Sequence, residues 1–208
     1  SIRPNSKEKY EAAKRLAEGV DFSLTRSVET LGQIFSGSDA LTTKSVEFGD
    51  EIAFLVTALI FFWCVNKRHG YYILSVGFIG TIANQFMKLW FRIPRPWVLD
   101  ENFTILEQAR EGASGYSFPS GHTQSSVGTF GAIGYTTKNK LIRILCIAAI
   151  ILVPFSRMYL GVHTPLDVSV AVLMAAILIV ALKPIILNSK NSMVFPVFLG
   201  IMLAVSVG

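Results

Sequence analysis

The sequence predicts an all-α fold: a polytopic membrane helix bundle of about six helices over residues 49–208, preceded by an amphipathic N-terminal segment, residues 1–48. Three observations carry this expectation. Of 208 residues, 51% are hydrophobic and only 16% charged, and the mean hydropathy is +0.50, more apolar than a soluble domain of this size. The apolar residues come in blocks of membrane-spanning character. The lysines and arginines behind the net charge of +5 gather in short clusters at the ends of those blocks. That is where topology-setting charges are placed, and it argues against nucleic acid as a partner.

Along the chain, Tyr10, Ala13, Ala17, Val20, Leu24, Val28, Leu31 and Phe35 recur at three- and four-residue steps, with Glu, Lys, Arg and Ser on the other face. The spacing predicts an amphipathic helix too charged to cross a bilayer, lying in the interface or packed on the bundle. A first span is expected from about Ile52 to Val65, closed by Lys67-Arg68. A second runs from Tyr71 to Phe91 and carries Asn84, Gln85 and Lys88 near its end, where polar side chains face protein or a water-filled cavity. A polar connection follows from Arg92 to Phe118, with Arg95-Pro96 and the acids Asp100, Glu101, Glu107 and Glu111. Those acids read as a solvated loop, or as a cap that repels anionic competitors. A third helix is expected from Ser120 to Tyr135, with Gly128, Gly131 and Gly134 allowing close contact. The fourth spans Leu141 to Tyr159 with Pro154 as a kink, the fifth Pro165 to Leu182, and a sixth apolar run starts at Met193. Cys64 and Cys146 lie inside apolar runs without CxxC spacing and read as reduced core residues. The chain opens on Ser1 with no initiator Met and no cleavable-signal pattern, as expected of a processed or trimmed chain.

Counting crossings brings Lys88, Arg95, the Ser120–His122 stretch, Arg157 and His163 to one membrane face. The opposite connections carry Lys67, Arg68, Lys138, Lys140, Arg143, Lys183 and Lys190 and no acid. The positive-inside rule makes those connections cytoplasmic, so the polar face points outward from a bacterial cytoplasmic membrane.

Three stretches on that face carry chemistry. In the first, Lys88 and Arg95 are seven residues apart, nearly two turns, and share a side if the helix continues. In the second, Pro119-Ser120-Gly121-His122 starts a helix, exposes first-turn N–H groups and lets a ligand approach the Gly121 backbone; helix N-termini bind phosphate. In the third, Arg157 precedes His163, and Asp167 lies one turn along from His163 if a helix begins there. The carboxylate then fixes the imidazole tautomer and stabilises positive charge on it. Each piece also has an ordinary reading. Lys88 and Arg95 read as snorkelling anchors, Arg92 as another anchor, Ser120 as a plain N-cap, His122 as a satisfied core histidine, and Asp167 as a helix cap. Taken together, a surplus of fixed cations on one face calls for a multiply charged anion, and Arg suits phosphate oxygens by bidentate hydrogen bonding.

Lys88-x6-Arg95-Pro96, Pro119-Ser120-Gly121-His122 and Ser156-Arg157-x5-His163-x3-Asp167 resemble the three-part signature of the type 2 phosphatidic acid phosphatase family. Bacterial acid phosphatases and vanadium haloperoxidases share its superfamily. The motifs span residues 88 to 167. The resemblance implies a metal-independent phosphatase that works through a phosphohistidine. It implies His163 as nucleophile, Asp167 as its orienting partner, and His122 as the acid that protonates the leaving oxygen and then the base that activates water. Lys88, Arg95, Arg157, Ser120 and the Gly121 backbone would hold the phosphoryl oxygens. The chain departs from the six-helix members of the family at its ends, with an amphipathic segment ahead of residue 52 and an extra apolar run after the fifth helix.

The expected function is therefore hydrolysis of a lipid phosphate or diphosphate headgroup: a polyprenyl diphosphate, phosphatidate or phosphatidylglycerol phosphate. No cofactor and no metal are expected, since no Asp/Glu cluster has metal-ligand spacing. The partners are the lipid substrate and membrane lipids. The alternatives are phosphotransfer to an alcohol, vanadate-dependent haloperoxidase chemistry, and a lipid-phosphate binding or transport protein without turnover.

Overall fold

A computed structural model of the chain describes residues 51–99, 113 and 115–188. The amphipathic segment at 1–48, the acids from Asp100 to Glu111, Lys190 and the apolar run from Met193 lie outside the described residues. Within them the chain is helical: α1 (Glu51–Ile60) continued by a π-helical stretch (Phe61–Val65), α2 (Lys67–Phe91), the short α3 (Pro96–Leu99), α4 (Gly121–Thr136), α5 (Lys140–Tyr159) and α6 (Pro165–Ile186).

Small polar residues start each long helix from α2 onward, because they satisfy first-turn N–H groups that have no intrahelical acceptor. Asn66 accepts from Arg68 N at 2.8 Å. Asn139 accepts from Leu141 N at 2.9 Å and from Ile142 N at 3.3 Å, Ser120 caps α4 and Thr164 caps α6. The Asn66 cap corrects one boundary. Lys67 and Arg68 open α2 rather than closing the first span, so α2 starts four residues before Tyr71.

Helix α4 is the centre of the bundle and packs on α2, α5 and α6. Its glycines explain how three neighbours reach it. A Cβ at Gly128 would lie 3.3 Å from Val76 of α2, at Gly131 2.5 Å from Ile179 of α6, and at Gly134 3.1 Å from Cys146 of α5. The core between these helices includes Tyr72, Ile73, Val76, Ala132, Ile133, Cys146, Ile179 and Leu182. Tyr72 carries its hydroxyl into it and donates to the Ile179 carbonyl at 2.6 Å, which meets the cost of burying a polar group.

The outer surface is apolar. α5 and α6 are each long and apolar enough to cross a membrane, yet only 28% and 22% of their apolar windows are buried. Leu141, Ile144, Leu145, Ile151, Leu173, Ile177 and Val180 are all at least 58% exposed. A soluble protein would hide such faces; a bilayer solvates them. Cys146 is a free core residue as the sequence predicts, but Cys64 is exposed on this outer face instead. α5 runs through Pro154 without a break.

Contact between the first two helices depends on Gly70. A Cβ there would lie 2.6 Å from Phe62 Cα, an atom of the facing backbone that cannot rotate away. Gly70→Ala is expected to lower the thermal midpoint of the detergent-solubilised protein, by a destabilisation of about 1–3 kcal/mol, the usual range for overpacking. An unchanged midpoint would mean that the α1–α2 contact is looser than this geometry.

Candidate active site

Helices α2 and α5 end, and α4 and α6 begin, at the same end of the bundle. The connections there bring the three polar stretches together. The first does so from a loop, since the helix ends at Phe91 as the sequence predicts and does not continue to Arg95. α2 stops at Phe91 and Arg92 turns left-handed at φ 51°. The following Ile93-Pro94-Arg95-Pro96 is incompatible with more helix, because each proline lacks an N–H and pushes its predecessor out of the α region. The Ile93 carbonyl is instead taken by Ser117 N at 2.9 Å, which lays the Arg95 loop beside the segment leading into α4. Arg92 is exposed, its Nε donating to the Leu89 carbonyl at 3.0 Å, as an anchor would.

Arg95 is turned inward and is 6% exposed. Its Nε donates to the Gly115 carbonyl at 3.2 Å. Its Nη1 donates to the Val162 carbonyl at 3.0 Å and faces His163 Nε2 at 3.1 Å. Burial pulls its pKa down to about 10, with the Asp167 charge opposing, so the guanidinium stays cationic at neutral pH. The Trp97 ring lies 5.8 Å from its centre.

His163 follows a turn that Gly161 makes with φ at 71°, a conformation glycine adopts without strain. That turn reverses the chain after α5, with Leu160 N donating to Ser156 O at 2.9 Å and Val162 N to Arg157 O at 3.3 Å. His163 is 1% exposed. Because Arg has no acceptor, the ring nitrogen facing it must carry the lone pair. Nε2 is therefore the free base and the proton sits on Nδ1. On that side lie Asp167 Oδ2 at 3.5 Å and Ser117 Oγ at 3.5 Å. Burial, with the Arg95 and Arg157 charges, outweighs Asp167 and pushes the pKa of His163 down to about 3. The imidazole is neutral in the ordinary pH range.

His163 does not begin a helix. Thr164 is the N-cap and α6 starts at Pro165, so His163 and Asp167 do not stack on one helical face. Asp167 reaches His163 from inside a capping box. Its Oδ2 accepts from Thr164 N at 2.8 Å, while Thr164 Oγ1 accepts from Asp167 N at 3.2 Å. The ordinary reading of Asp167 as a cap and its reading as an imidazole partner both hold, through the same oxygen.

The second stretch closes the site. Ser120 caps α4, accepting from Thr123 N at 3.4 Å, and its own N donates to the Asp167 carbonyl at 3.2 Å, tying the start of α4 to the start of α6. Gly121 and His122 form the first turn. A Cβ at Gly121 would meet nothing closer than Lys88 Nζ at 3.7 Å and Asn84 Oδ1 at 3.8 Å. The Lys88 ammonium thus stands over a bare helix start. His122 is half-buried on that same turn. Arg157, 3% exposed in the last turn of α5, is near enough for its charge to act on His163.

All eight sequence-predicted site residues lie at this end of the bundle, and four of them, Arg95, His163, Asp167 and Ser120, are joined by direct contacts. Two further participants were not singled out for the site. Asn84, 2% exposed, donates to the Pro119 carbonyl at 3.4 Å; a buried amide in an apolar helix was the signal for it. Ser117, 1% exposed, donates to Asp167 Oδ2, and neither its residue type nor its spacing marks it in the sequence.

Residues 68–191 match the family model of the PAP2 superfamily. The chain belongs to that superfamily. Among curated relatives it is 28% identical over 113 residues to undecaprenyl-diphosphatase BcrC of Bacillus subtilis, covering 54% of this chain and 55% of that one. It is 31% identical over 123 residues to an undecaprenyl-diphosphatase of Sulfolobus acidocaldarius, covering 59% and 58%. It is also 31% identical over 146 residues to a probable sphingosine-1-phosphate phosphatase of Dictyostelium discoideum, covering 64% and 35%. The chain thus spans little more than half the length of the two diphosphatases. Among solved structures, Aquifex aeolicus LpxE superposes with a TM-score of 0.63 at 23% identity over 77% of this chain and 93% of that one. A PAP2-type phosphatidylglycerolphosphate phosphatase from Bacillus subtilis superposes at 0.60 and 22% identity, over 92% and 90%. At those identities the likeness is one of fold, and it is the fold of transmembrane PAP2 proteins.

Proposed function

We propose that this chain is a membrane lipid phosphatase that hydrolyses a phosphate or diphosphate headgroup through a phosphohistidine on His163, with a polyprenyl diphosphate as the favoured substrate. The observation that carries the reading is the state of His163: a buried, neutral imidazole whose Nε2 lone pair points at a guanidinium, with the Arg157 charge acting on it and the start of α4, where Lys88 stands over Gly121, tied to Asp167. A phosphoryl group entering between Arg95 and His163 replaces the contact of Arg95 Nη1 with Nε2, leaves the guanidinium anchored on the Gly115 and Val162 carbonyls, and presents phosphorus to Nε2.

The steps follow from that placement. Nε2 attacks the terminal phosphorus, its bond to the bridging oxygen of a diphosphate (or to the ester oxygen of a monophosphate) breaks, and His122 protonates that oxygen as it leaves with the lipid. His122 then takes a proton from water, whose oxygen attacks phosphorus; the P–N bond breaks, inorganic phosphate departs and Nε2 regains its lone pair. Asp167 stabilises the imidazole while it carries positive charge. Lys88, Arg95, Arg157, Ser120 and the Gly121 N–H hold the phosphoryl oxygens, which supplies the charge stabilisation that dominates phosphoryl transfer. Side-chain cations fill this role, so the reaction needs no metal. Two of the three curated relatives above are undecaprenyl-diphosphatases, which favours a polyprenyl diphosphate over phosphatidate or phosphatidylglycerol phosphate. Phe86, Leu89 and Trp90, each at least 59% exposed near the site end of α2, suit the membrane interface where such a headgroup lies. The basic residues at the other end of the bundle support a site on the outer face of the cytoplasmic membrane by the positive-inside rule. In this reading residues 1–48 are an amphipathic N-terminal segment, in the interface or packed on the bundle, and 49–208 the catalytic bundle.

The test is phosphate release in detergent with excess EDTA from polyprenyl diphosphate, phosphatidate and phosphatidylglycerol phosphate. The expected result is EDTA-resistant release, fastest from the polyprenyl diphosphate. Binding of these lipids without release from any of them would replace the phosphatase reading with a binding or transport one.

A further inference from the structure

The Asp167 carboxylate does more than one task with one oxygen. Oδ2 accepts from Ser117 Oγ and from Thr164 N at 2.8 Å, and it faces His163 Nδ1 at 3.5 Å. The contact to the imidazole is therefore the longest of the three, beyond an ordinary N–H···O distance. Two donors hold the carboxylate in place and the imidazole approaches an oxygen already fixed. Thr164 N belongs to the capping box and stays with α6 whatever the site does. Ser117 does not: it comes from the segment before α4, its hydroxyl also lies 3.5 Å from His163 Nδ1, and its N is bonded to Ile93 of the Arg95 loop. Ser117 thus links the Arg95 loop to the His163–Asp167 stretch and is 1% exposed, away from bulk water.

We propose that Ser117 is a positioning residue: its hydroxyl pins Asp167 Oδ2 against Nδ1 of His163 and so, with Arg95 Nη1 on the other side of the ring, keeps the imidazole proton on Nδ1 and the lone pair on Nε2. The inference rests on the nucleophilic role given to His163 above. The Ser117 hydroxyl faces Asp167 and the Nδ1 side of His163, the side of the ring away from Nε2 and the Arg95 guanidinium. Its loss is therefore felt when the imidazole gains positive charge and not when the substrate binds. Without the hydroxyl, Oδ2 keeps only the Thr164 bond and can swing from Nδ1, so Arg95 alone biases the tautomer and the two imidazole tautomers become closer in population.

The experiment has a spectroscopic arm that needs no substrate and a kinetic arm that does. With three histidines in the chain, ¹⁵N-histidine NMR of the detergent-solubilised protein can report the His163 ring, assigned by its loss in His163→Ala. Wild type is expected to show the Nδ1–H tautomer, and Ser117→Ala to move both ring nitrogens toward the averaged value of a mixture. In kinetics Ser117→Ala is expected to lower kcat 10- to 100-fold with KM within twofold, and Ser117→Thr to recover most of kcat. Added to Asp167→Asn, Ser117→Ala is expected to lower kcat no further, because it acts through that carboxylate. Unchanged ring shifts in Ser117→Ala overturn the proposal, as does a full additive loss in the double variant. If Ser117→Ala does not accumulate, Ser117→Cys, a near-isosteric weak donor, takes its place. Moved ring shifts then support the proposal and unmoved ones sink it. If the wild type turns over no lipid, the function above fails, while the NMR arm still decides the role of Ser117.

Discussion

His163→Ala is expected to abolish phosphate release, with kcat/KM falling on the order of 10,000-fold or more, since no other group can form the covalent intermediate. The fold is expected to survive. Arg95 keeps the Gly115 and Val162 carbonyls, and Asp167 keeps Ser117 and Thr164, so the substitution leaves no stranded buried charge. The pH behaviour carries a second signature. The folded imidazole is held near 3 against an ordinary value of 6.5, so Nε2 remains a free base throughout the working range. Any acid limb of the wild-type kcat/KM profile above that value comes from another group. For stability the sign runs the same way. As pH falls below 6.5 the unfolded chain takes up the proton first, so the stability contribution of neutral His163 is whole above 6.5 and shrinks toward 3. The thermal midpoint of His163→Ala is therefore expected to depend less on pH across that window. Residual activity within tenfold of wild type would remove His163 as nucleophile.

Much of this site is legible in the sequence because its chemistry is written in residue types that an apolar helix bundle cannot carry idly. A lysine, two arginines and two histidines at the ends of apolar runs need a reason, and counting crossings alone brings them to one face. What the sequence misplaces is the backbone between them. The seven-residue step from Lys88 to Arg95 looks helical, yet Pro94 and Pro96 forbid the helix and the loop reaches the same place through Ser117 N. The four-residue step from His163 to Asp167 also looks helical, yet Pro165 at the first helical position makes Thr164 the cap and leaves His163 outside. In both cases the helix bounds read from the sequence, an end at Phe91 and a start at Pro165, hold. The helical stacking that the spacing would give if either helix extended further does not apply, because proline sets helix ends more strongly than periodicity does. Ser117 is invisible for a different reason. Its importance lies in two long-range hydrogen bonds, to Ile93 and to Asp167, and serine is too common for its presence to announce either. The core helices are legible throughout. Gly128, Gly131 and Gly134 announce close contact, although not that each faces a different neighbour.

Arg95→Lys carries the other large effect, and it separates charge from geometry. Lysine preserves the positive charge that a phosphoryl group would meet, so a site that needs only a cation there would keep its activity. The structure requires more. The guanidinium bonds two carbonyls from different segments, Gly115 and Val162, while its Nη1 also faces Nε2 of His163. A planar fork anchored by two carbonyls cannot turn, so its remaining donors point at the incoming oxygens before substrate arrives. An ammonium on a flexible stem reaches one of these partners at a time and leaves a buried carbonyl unmet. Charge-assisted hydrogen bonds are worth about 1.5–3 kcal/mol each, so losing one or two of them is expected to lower kcat/KM roughly 100-fold. Arg95→Ala, which also removes the charge, is expected to lose more. Because Nη1 fixes the lone pair on Nε2, Arg95→Lys is also expected to disturb the His163 ring nitrogen shifts in the substrate-free protein. Retained kcat/KM with unmoved shifts would make Arg95 a plain anchor, the ordinary reading open to it from sequence. A kinetic loss without any spectral change would keep it as a phosphate ligand but end its part in setting the imidazole.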